Sequence, residues 1–255
     1  MPAAPPLATV LGLWEASSGL PPVDRDLAFL AACLPEADAT TLSAVHIGAR
    51  DTHLVELYTN LYGPRLDALL ICGCGQVLEV NLDLAAVAAV AATTVAGGAD
   101  RAEGDDGWVS IADGGYDVTA RLPDSRDLAA AAAAAGRQNP ALARTVLAER
   151  LLNARFGGTA VRVDELPGPV LERALAALAE SDPCAEITVT TCCPACGSVH
   201  SAILDIGAHL WARVAADSRR GLRDVTALAR AYRWPESEIL SMSEHRRSAY
   251  LEFLA

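Results

Sequence analysis

The sequence predicts a mixed α+β fold that is mainly helical, with a small zinc-ribbon-like pair of β-hairpins formed by two distant segments. Apolar residues recur at helical spacing in both terminal regions, and two short apolar stretches each contain a pair of cysteines. Just over half of the 255 residues are apolar. This composition supports a sizeable buried core and excludes a mainly disordered chain.

The opening third is predicted to be helical. Apolar residues recur at helical spacing over Leu7–Ala16, Asp24–Leu34 and Ala49–Leu61, as expected for one buried face of each helix. Pro21-Pro22 separates the first two segments, and Gly63-Pro64 ends the third, because these residues do not continue a helix. We therefore expect a helical unit before the first cysteine pair.

Two stretches, 66–84 and 187–206, are each predicted to form a β-hairpin around a cysteine turn. Each has aliphatic residues on both sides of the turn, and glycines within it. The two stretches form a weak internal repeat, because a glycine after the last cysteine lies eight residues before an aspartate in both. The glycines are Gly75 and Gly197, and the aspartates are Asp83 and Asp205.

The region between the hairpins is predicted to be an Ala-rich α/β insertion. A polar loop spans Gly97–Gly107, and we expect its Asp105-Asp106 to be solvated surface. A strand is expected over Tyr116–Leu122. Helices are then expected from Asp124 or Ser125 to Ala135, from Pro140 to Ala154, and from Val170 to Glu180.

The last region is predicted to be helical again. A pattern over Leu210–Tyr232 indicates one long helix, continuous or broken at Gly221, and two short helices follow Trp234-Pro235 and Ser243. Aromatic and aliphatic residues in these short helices are expected to pack into a small core, with a partner-binding surface as the alternative. They are Tyr232, Trp234, Ile239, Leu240 and Tyr250.

These patterns divide the chain into four predicted units. Residues 1–65 form the N-terminal helical unit, and residues 66–84 with 185–206 form the composite zinc-ribbon-like unit. Residues 85–184 form the inserted α/β region, and residues 207–255 form the C-terminal helical unit.

The charge and hydropathy of the sequence indicate where the protein is located and which classes of partner it binds. No apolar run approaches the roughly 20 residues needed to span a bilayer, and the N-terminus lacks the pattern of a secretory signal. We therefore expect a soluble protein of the reducing cytoplasm, where cysteines serve as metal ligands or core thiols rather than disulfides. The net charge of -12 disfavours nucleic acid as a partner, because phosphate binding requires clustered basic groups.

Four of the seven cysteines are predicted to bind one structural zinc ion. Cys193 and Cys196 are separated by two residues, and Cys72 and Cys74 by one, so two hairpin turns together supply four sulfurs. Four sulfurs leave no open coordination position, which favours a structural site over a catalytic one. Cys192 and His200 are spare candidate ligands. The alternative is that the cysteines are core residues or a site that has lost its metal.

The remaining candidate groups indicate no catalytic site. Cys33 and Cys184 stand alone on apolar faces and are expected to be buried. The five histidines are scattered, and no nucleophile or phosphate-loop motif is present, so the chain is not expected to be an enzyme. A thiol oxidoreductase would need Cys193 at the start of a helix after a strand, whereas the pattern around it predicts a hairpin.

Several short segments, in order along nearly the whole chain, resemble one known family. The chain is similar to the T4-type baseplate hub assembly chaperones, which accompany phage tails and phage-like contractile injection systems. Members of that family typically have Cys-Pro-x-Cys-Gly at both cysteine turns, and the first turn of this chain lacks the proline and one residue. The segments that carry the resemblance are Ile47–Asp51, Tyr62–Leu66, Ala120–Leu128, Ala231–Leu240, Arg246-Arg247 and Tyr250-Leu251.

The resemblance implies a non-enzymatic assembly factor or minor baseplate component that binds baseplate or tail proteins, with the terminal helices contacting the partner. The alternative is a zinc-ribbon regulator that binds nucleic acid through a C-terminal helix-turn-helix. That alternative needs an exposed arginine cluster. Arg219, Arg220 and Arg223 form the one compact cluster, and Asp217 and Asp224 offset it.

Overall fold

The computed structural model describes residues 5–89, 108–136 and 139–254. The mixed α+β class is confirmed, with helices in the majority and three small antiparallel sheets. The first part contains α1 (Leu7–Ser17), α2 (Pro22–Cys33), α3 (Ala39–Ala44), α4 (Ile47–Tyr62), β1 (Arg65–Ile71), β2 (Val77–Asp83) and a helical segment over 84–89. The middle part contains β3 (Trp108–Asp113), β4 (Tyr116–Arg121), α5 (Ser125–Ala135), α6 (Pro140–Leu151), β5 (Leu152–Phe156), β6 (Thr159–Val161), a 3-10 turn (Val163–Glu165) and α7 (Gly168–Ser181). The last part contains β7 (Thr188–Cys192), β8 (Val199–Ile203), α8 (Ile206–Tyr232), α9 (Glu236–Ser241) and α10 (Glu244–Glu252).

The largest apolar core joins the helices of the first part to both hairpins and to α8. Phe29, Leu54, Leu84 and Leu210 are each 0% exposed within it. Most of its members come from α1, α2, α4, β1 and α8, so elements from the two ends of the chain bury their apolar faces against one another. The four-unit division made from the sequence stays a prediction.

Two β-hairpins form as the sequence predicts. Strand β1 pairs with β2 in an antiparallel register that places Ile71 opposite Val77, and β7 pairs with β8 with Cys192 opposite Val199. The internal repeat also has a structural counterpart. Asp83 accepts a hydrogen bond from the Ala85 amide as a helical segment begins, and Asp205 caps the start of α8 through the Ala208 amide.

The middle part contains a four-stranded antiparallel sheet in the order β3-β4-β5-β6. The sequence predicted one of these strands, over Tyr116–Leu122, and the helix expected through Ala154 was wrong beyond Leu151. Leu152 and Ala154 are buried while Asn153 and Arg155 are exposed, so this segment alternates with the period of a strand. The predicted loop Gly97–Gly107, with Asp105-Asp106, lies outside the described residues.

The long helix α8 is continuous and does not break at Gly221. A methyl group built on Gly221 would lie 2.2 Å from Cδ1 of Leu7, so this glycine lets α1 approach the α8 backbone closely. Beyond it, Val225 and Leu228 pack with Leu7 and with Ile239 of α9. The C-terminal helices are thereby held on the same side of α8 as α1.

The aromatic residues at the C-terminal end pack together, as the core interpretation expects. Tyr232 and Trp234 stack with their ring centroids 4.5 Å apart, and Trp234 meets Tyr250 edge to face at 4.7 Å. These contacts join the end of α8 to α10. Phe253, by contrast, is 82% exposed beyond α10.

A buried ion cluster fixes the start of α5 against β4 and α6. Asp127 is 0% exposed and accepts hydrogen bonds from the Arg121 guanidinium at 2.6 and 2.7 Å, from Arg150 at 2.8 Å, and from the Asp124 amide at 3.0 Å. Burial by itself raises the pKa of Asp127, but these hydrogen bonds outweigh it and lower the pKa to about 2. The ionised carboxylate therefore stabilises the fold at neutral pH.

We expect Asp127→Asn to destabilise the protein by about 3 kcal/mol at pH 7, since it leaves two arginines beside a site that has lost its charge. The wild-type advantage should shrink as the pH falls from the unfolded-state value of 3.8 towards about 2, because the carboxyl group then becomes protonated in both states. Urea unfolding at several pH values measures both effects.

The matched control is Asp164→Asn. Asp164 also makes two hydrogen bonds to one arginine, Arg162, at 2.9 and 2.6 Å, but both side chains are exposed. Exposed ion pairs contribute little to the free energy of unfolding, so Asp164→Asn should unfold at the same urea concentration as the wild type. Equal unfolding curves for the two variants would contradict the role given to Asp127.

Candidate metal centre

The two cysteine turns are built in the same way, with one residue of difference in length. The Cys72 amide donates to the Gln76 carbonyl at 2.8 Å and closes a loop of five residues, whereas the Cys193 amide donates to the Ser198 carbonyl at 2.8 Å and closes a loop of six. The first loop thus has the same closing hydrogen bond despite lacking one residue. This shortening does not remove either cysteine of the first pair from the site.

A glycine follows each cysteine pair and turns the chain back into the next strand. Gly75 and Gly197 have φ angles of 89° and 73°, in the left-handed region that glycine adopts without steric cost. The Gly75 amide donates to the Cys72 carbonyl, and the Gly197 amide donates to the Cys193 carbonyl. The repeated glycine of the sequence is therefore a requirement of both turns.

The structure brings together all four cysteines that the sequence predicts as ligands. The Cys72 sulfur lies 3.6 Å from that of Cys196, and the Cys74 sulfur lies 3.7 Å from that of Cys193. All four sulfurs lie within 4.8 Å of one another. A tetrahedral ion with metal–sulfur bonds of about 2.3 Å places its sulfurs about 3.8 Å apart, so four thiolates in this arrangement fit one such ion.

The site lies at the edge of the protein, at the tips of the two hairpins. Cys72 and Cys193 are buried with Leu78, and Leu70 packs against them, while Cys74 and Cys196 are exposed. Each hairpin therefore contributes one sulfur from inside and one from outside. Among the described residues, this is the group of His, Cys, Asp or Glu side chains with the spacing to hold a metal ion.

The surroundings of Cys72 and Cys196 shift the pKa values of these two thiols in opposite directions. A hydrogen bond from the Cys74 amide lowers the pKa of Cys72, but burial and hydrogen bonds with the other cysteines raise it to about 12. For Cys196, hydrogen bonds from the side chain and amide of Ser198, followed by those with Cys72 and Cys193, lower the pKa to about 6. At neutral pH, Cys196 is therefore a thiolate while Cys72 keeps its proton.

His200 and Cys192, the spare candidate ligands, occupy different positions. Nε2 of His200 lies 3.1 Å from the Cys72 sulfur, so in the tautomer with hydrogen on Nε2 the ring donates to that sulfur. Such a hydrogen bond stabilises negative charge on a ligating thiolate. The thiol of Cys192 is exposed and donates to the Gly197 carbonyl, outside the four-sulfur group.

The remaining residues of interest are placed as follows. Cys184 is buried as expected, whereas Cys33 is partly exposed, and all seven cysteines are free thiols. Cys193 and Cys196 lie in a turn between two strands, so the helix start that a thiol oxidoreductase uses is not present around them. Ser198 was not among the residues predicted from the sequence, and its hydroxyl lies 3.2 Å from the Cys196 sulfur, directly after the glycine that ends the turn.

Comparisons with known proteins identify no family for this chain. No family model, curated protein or solved structure matches the chain. Within the part of the chain that the structure describes, no helix is both long and apolar enough to cross a bilayer.

In the metal-free protein, we expect Cys196 to react first with a thiol-alkylating reagent. Its lowered pKa makes it a thiolate at pH 7, and its rate should fall as the pH drops below about 6, when the thiol becomes protonated. Ser198→Ala should raise that pKa and slow the reaction at pH 7. Mass spectrometry of peptides after timed alkylation measures both.

Cys192 is the internal control, because it is also exposed but makes no contact with the Ser198 hydroxyl. Its labelling should not respond to Ser198→Ala. Faster labelling of Cys192 than of Cys196 at pH 7 would contradict the assigned environment.

Proposed function

We propose that this protein is a non-enzymatic assembly factor, or a minor component, of the baseplate of a phage-like contractile tail or injection system. It acts by binding baseplate or tail proteins, and its four-cysteine site holds a structural zinc ion. The family resemblance of the segments from Ile47–Asp51 to Tyr250-Leu251 supports the baseplate role. Binding to another protein is supported by one structural observation, the exposed apolar side chains of the hairpins.

The outer faces of the two hairpins carry several exposed apolar side chains among polar ones. On the first hairpin, Leu69 is 73% exposed, Ile71 is 75% exposed, and Val77, directly opposite Ile71, is 50% exposed. On the second, Val199 and Ile203 are 69% and 62% exposed on one side of β8. Apolar side chains grouped in this way mark interaction sites, because covering them removes apolar area from water.

The proposed zinc ion fixes these surfaces relative to one another. The four sulfurs join the tip of the first hairpin to that of the second, and a metal ion bound to all four would hold both tips in one arrangement. The ion would supply structural cross-linking and no reaction step. A rigid surface loses less conformational freedom on binding, which favours tight association with a partner.

In the arginine cluster needed by a nucleic-acid-binding regulator, one of the three arginines is ion-paired with a neighbouring carboxylate. Arg220 is paired with Asp217 at 2.6 Å, and Asp217 also lies 3.5 Å from Arg213. Asp224 lies 3.8 Å from Arg247 and keeps a second carboxylate beside the cluster. Phosphate binding would have to displace these pairs, so a protein partner is favoured.

Purified protein should contain one equivalent of zinc, and Cys193→Ser should lose it together with much of the folding stability, because binding energy at such a site is folding energy. Elemental analysis and thermal unfolding measure the two effects. Cys192→Ser is the matched control, since it replaces an exposed neighbouring cysteine outside the sulfur group. Zinc retained in Cys193→Ser would contradict the assigned ligand set.

Affinity purification of the tagged protein from a producing strain should recover baseplate or tail proteins. The double variant Leu69→Asp with Ile71→Asp should recover at least about tenfold less, because each charge must be desolvated against an apolar partner surface. Quantitative mass spectrometry of the recovered proteins measures the difference. Deleting the gene should leave sheaths and tubes without completed particles.

Leu142→Asp is the control for the surface charge. Leu142 is also an exposed leucine, at 39%, but it lies on α6 and away from the hairpins. It should recover partners at the wild-type level. Recovery of no tail or baseplate protein by the wild-type chain would overturn the proposed function.

A further inference from the structure

The exposed side of α8 is basic, although the protein as a whole is acidic. All of the exposed charged side chains of this helix are arginines, and its two carboxylates are only partly exposed. The whole chain has a net charge of -12. A local positive field on such a protein is suited to a partner that carries negative charge. The exposed arginines are Arg213, Arg219, Arg220, Arg223 and Arg230.

Three of these arginines form a line along the helix, which we call the arginine stripe: Arg219, Arg223 and Arg230. They are spaced by four and seven residues, which places them on one side of α8 over a length of about 16 Å. Within the part of the chain that the structure describes, none of their guanidinium groups makes an ion pair or a hydrogen bond. All three are therefore available to carboxylates of another molecule.

The carboxylates of α8 point away from the arginine stripe. Asp217 and Asp224 are seven residues apart and lie about 140° around the helix axis from the stripe. Asp217 pairs with Arg213 and Arg220, and Asp224 lies 3.8 Å from Arg247 of α10. Both carboxylates line a cleft between α1, α8 and α10. An acidic ligand on the stripe therefore faces no carboxylate of α8 directly.

A shallow depression lies within the stripe, between Arg223 and Arg230. Its lining consists of these two arginines with Leu222, Thr226 and Ala227, and it contains no carboxylate. All of these residues belong to α8, so no other described element borders the depression. A ligand that pairs with both arginines can place a small apolar side chain between them.

We propose that the arginine stripe binds an acidic α-helix of a partner protein. The inference rests on the proposed function only in taking the ligand from a protein. A partner helix has the same rise per residue as α8, so glutamates repeated every three or four residues along one side of it match the stripe in either chain direction. Guanidinium groups bind carboxylates through paired hydrogen bonds, which favours this match.

Nucleic acid fits this surface less well than an acidic helix does. Three free arginines would neutralise few phosphates, and a protein with a net charge of -12 repels a long polyanion. A short acidic helix carries far less negative charge and needs contact with the stripe alone. A partner protein is therefore favoured.

The test uses the full-length protein and a fluorescein-labelled, alanine-rich helical peptide whose glutamates are spaced by four, three and four residues. Fluorescence anisotropy at low ionic strength should show saturable binding with a Kd below about 1 mM, and added salt should weaken it. A peptide of the same composition, with its glutamates distributed around the helix, should bind at least about fivefold more weakly. Circular dichroism verifies that both peptides are helical.

Arg219→Gln, Arg223→Gln and Arg230→Gln should each weaken binding by about threefold, and the triple variant by at least about tenfold. Arg144→Gln is the matched control, because Arg144 is an exposed arginine of α6 that also makes no ion pair to any described residue. This variant should bind the peptide as the wild type does. The unfolding temperature should not change in any of these variants, since the replaced side chains are exposed.

Thr226→Asp tests the position of the ligand on the stripe. It places a carboxylate between Arg223 and Arg230 at an exposed site, so the unfolding temperature should change little. Peptide binding should weaken by at least about fivefold, because the new charge pairs with the arginines and repels the glutamates. Unchanged binding would show that the peptide does not lie across the depression and would overturn the proposed site.

Other outcomes overturn the proposal as a whole. Equal binding of the two peptides would show attraction by net charge alone. Displacement by single-stranded DNA at a lower concentration than by unlabelled acidic peptide would assign the stripe to nucleic acid. Self-association of the protein that is lost in the triple variant would assign the stripe to a second copy of this chain.

The peptide assay contains no tail protein, so its failure leaves the baseplate function standing if tail proteins are still recovered with the wild-type chain. Peptide binding without any recovered tail protein would separate the two proposals in the opposite direction.

Discussion

The contact of α8 with both ends of the chain is the interaction on which the rest of the structure depends. The first half of α8 buries Leu210 and Val214 in the core shared with the N-terminal helices and the hairpins, and its second half buries Leu228 with α1 and α9. Because α8 begins directly after β8, its packing also fixes the direction in which the second hairpin leaves the core. The candidate metal centre and the exposed apolar side chains of the hairpins both lie on elements that this helix holds in place.

The four-cysteine site adds a second constraint at the opposite end of the hairpins. The core holds the bases of β1 and β2 through Leu66 and Leu84, whereas the tips meet through the small cluster of Cys72, Leu78 and Cys193. The apolar cluster at the tips is small, so the contacts among the four cysteines form much of the attachment between the two tips.

The parts of the fold that could be predicted from the sequence are those whose local pattern agrees with their packing. Helix α4 follows its leucine spacing, and the paired cysteines and glycines locate both turns, including the shortened one at Cys72–Gly75. Strand β5 was mistaken for the end of a helix, because Ala154 favours a helix and only pairing with β4 makes this segment a strand. The closeness of the four sulfurs needed the tertiary structure, since residues 74 and 193 meet only through the packing of both hairpins.

The separation of the two cysteine turns along the chain also determines when the four-sulfur group can form during synthesis. Cys74 and Cys193 are 119 positions apart, and the whole four-stranded sheet lies between them. At roughly 5–20 residues per second, a ribosome needs on the order of ten seconds to travel from one turn to the other. During that interval Cys72 and Cys74 have no partner sulfurs from the second hairpin. The four-sulfur group is therefore completed only after the intervening sheet has been synthesised and the second hairpin has docked.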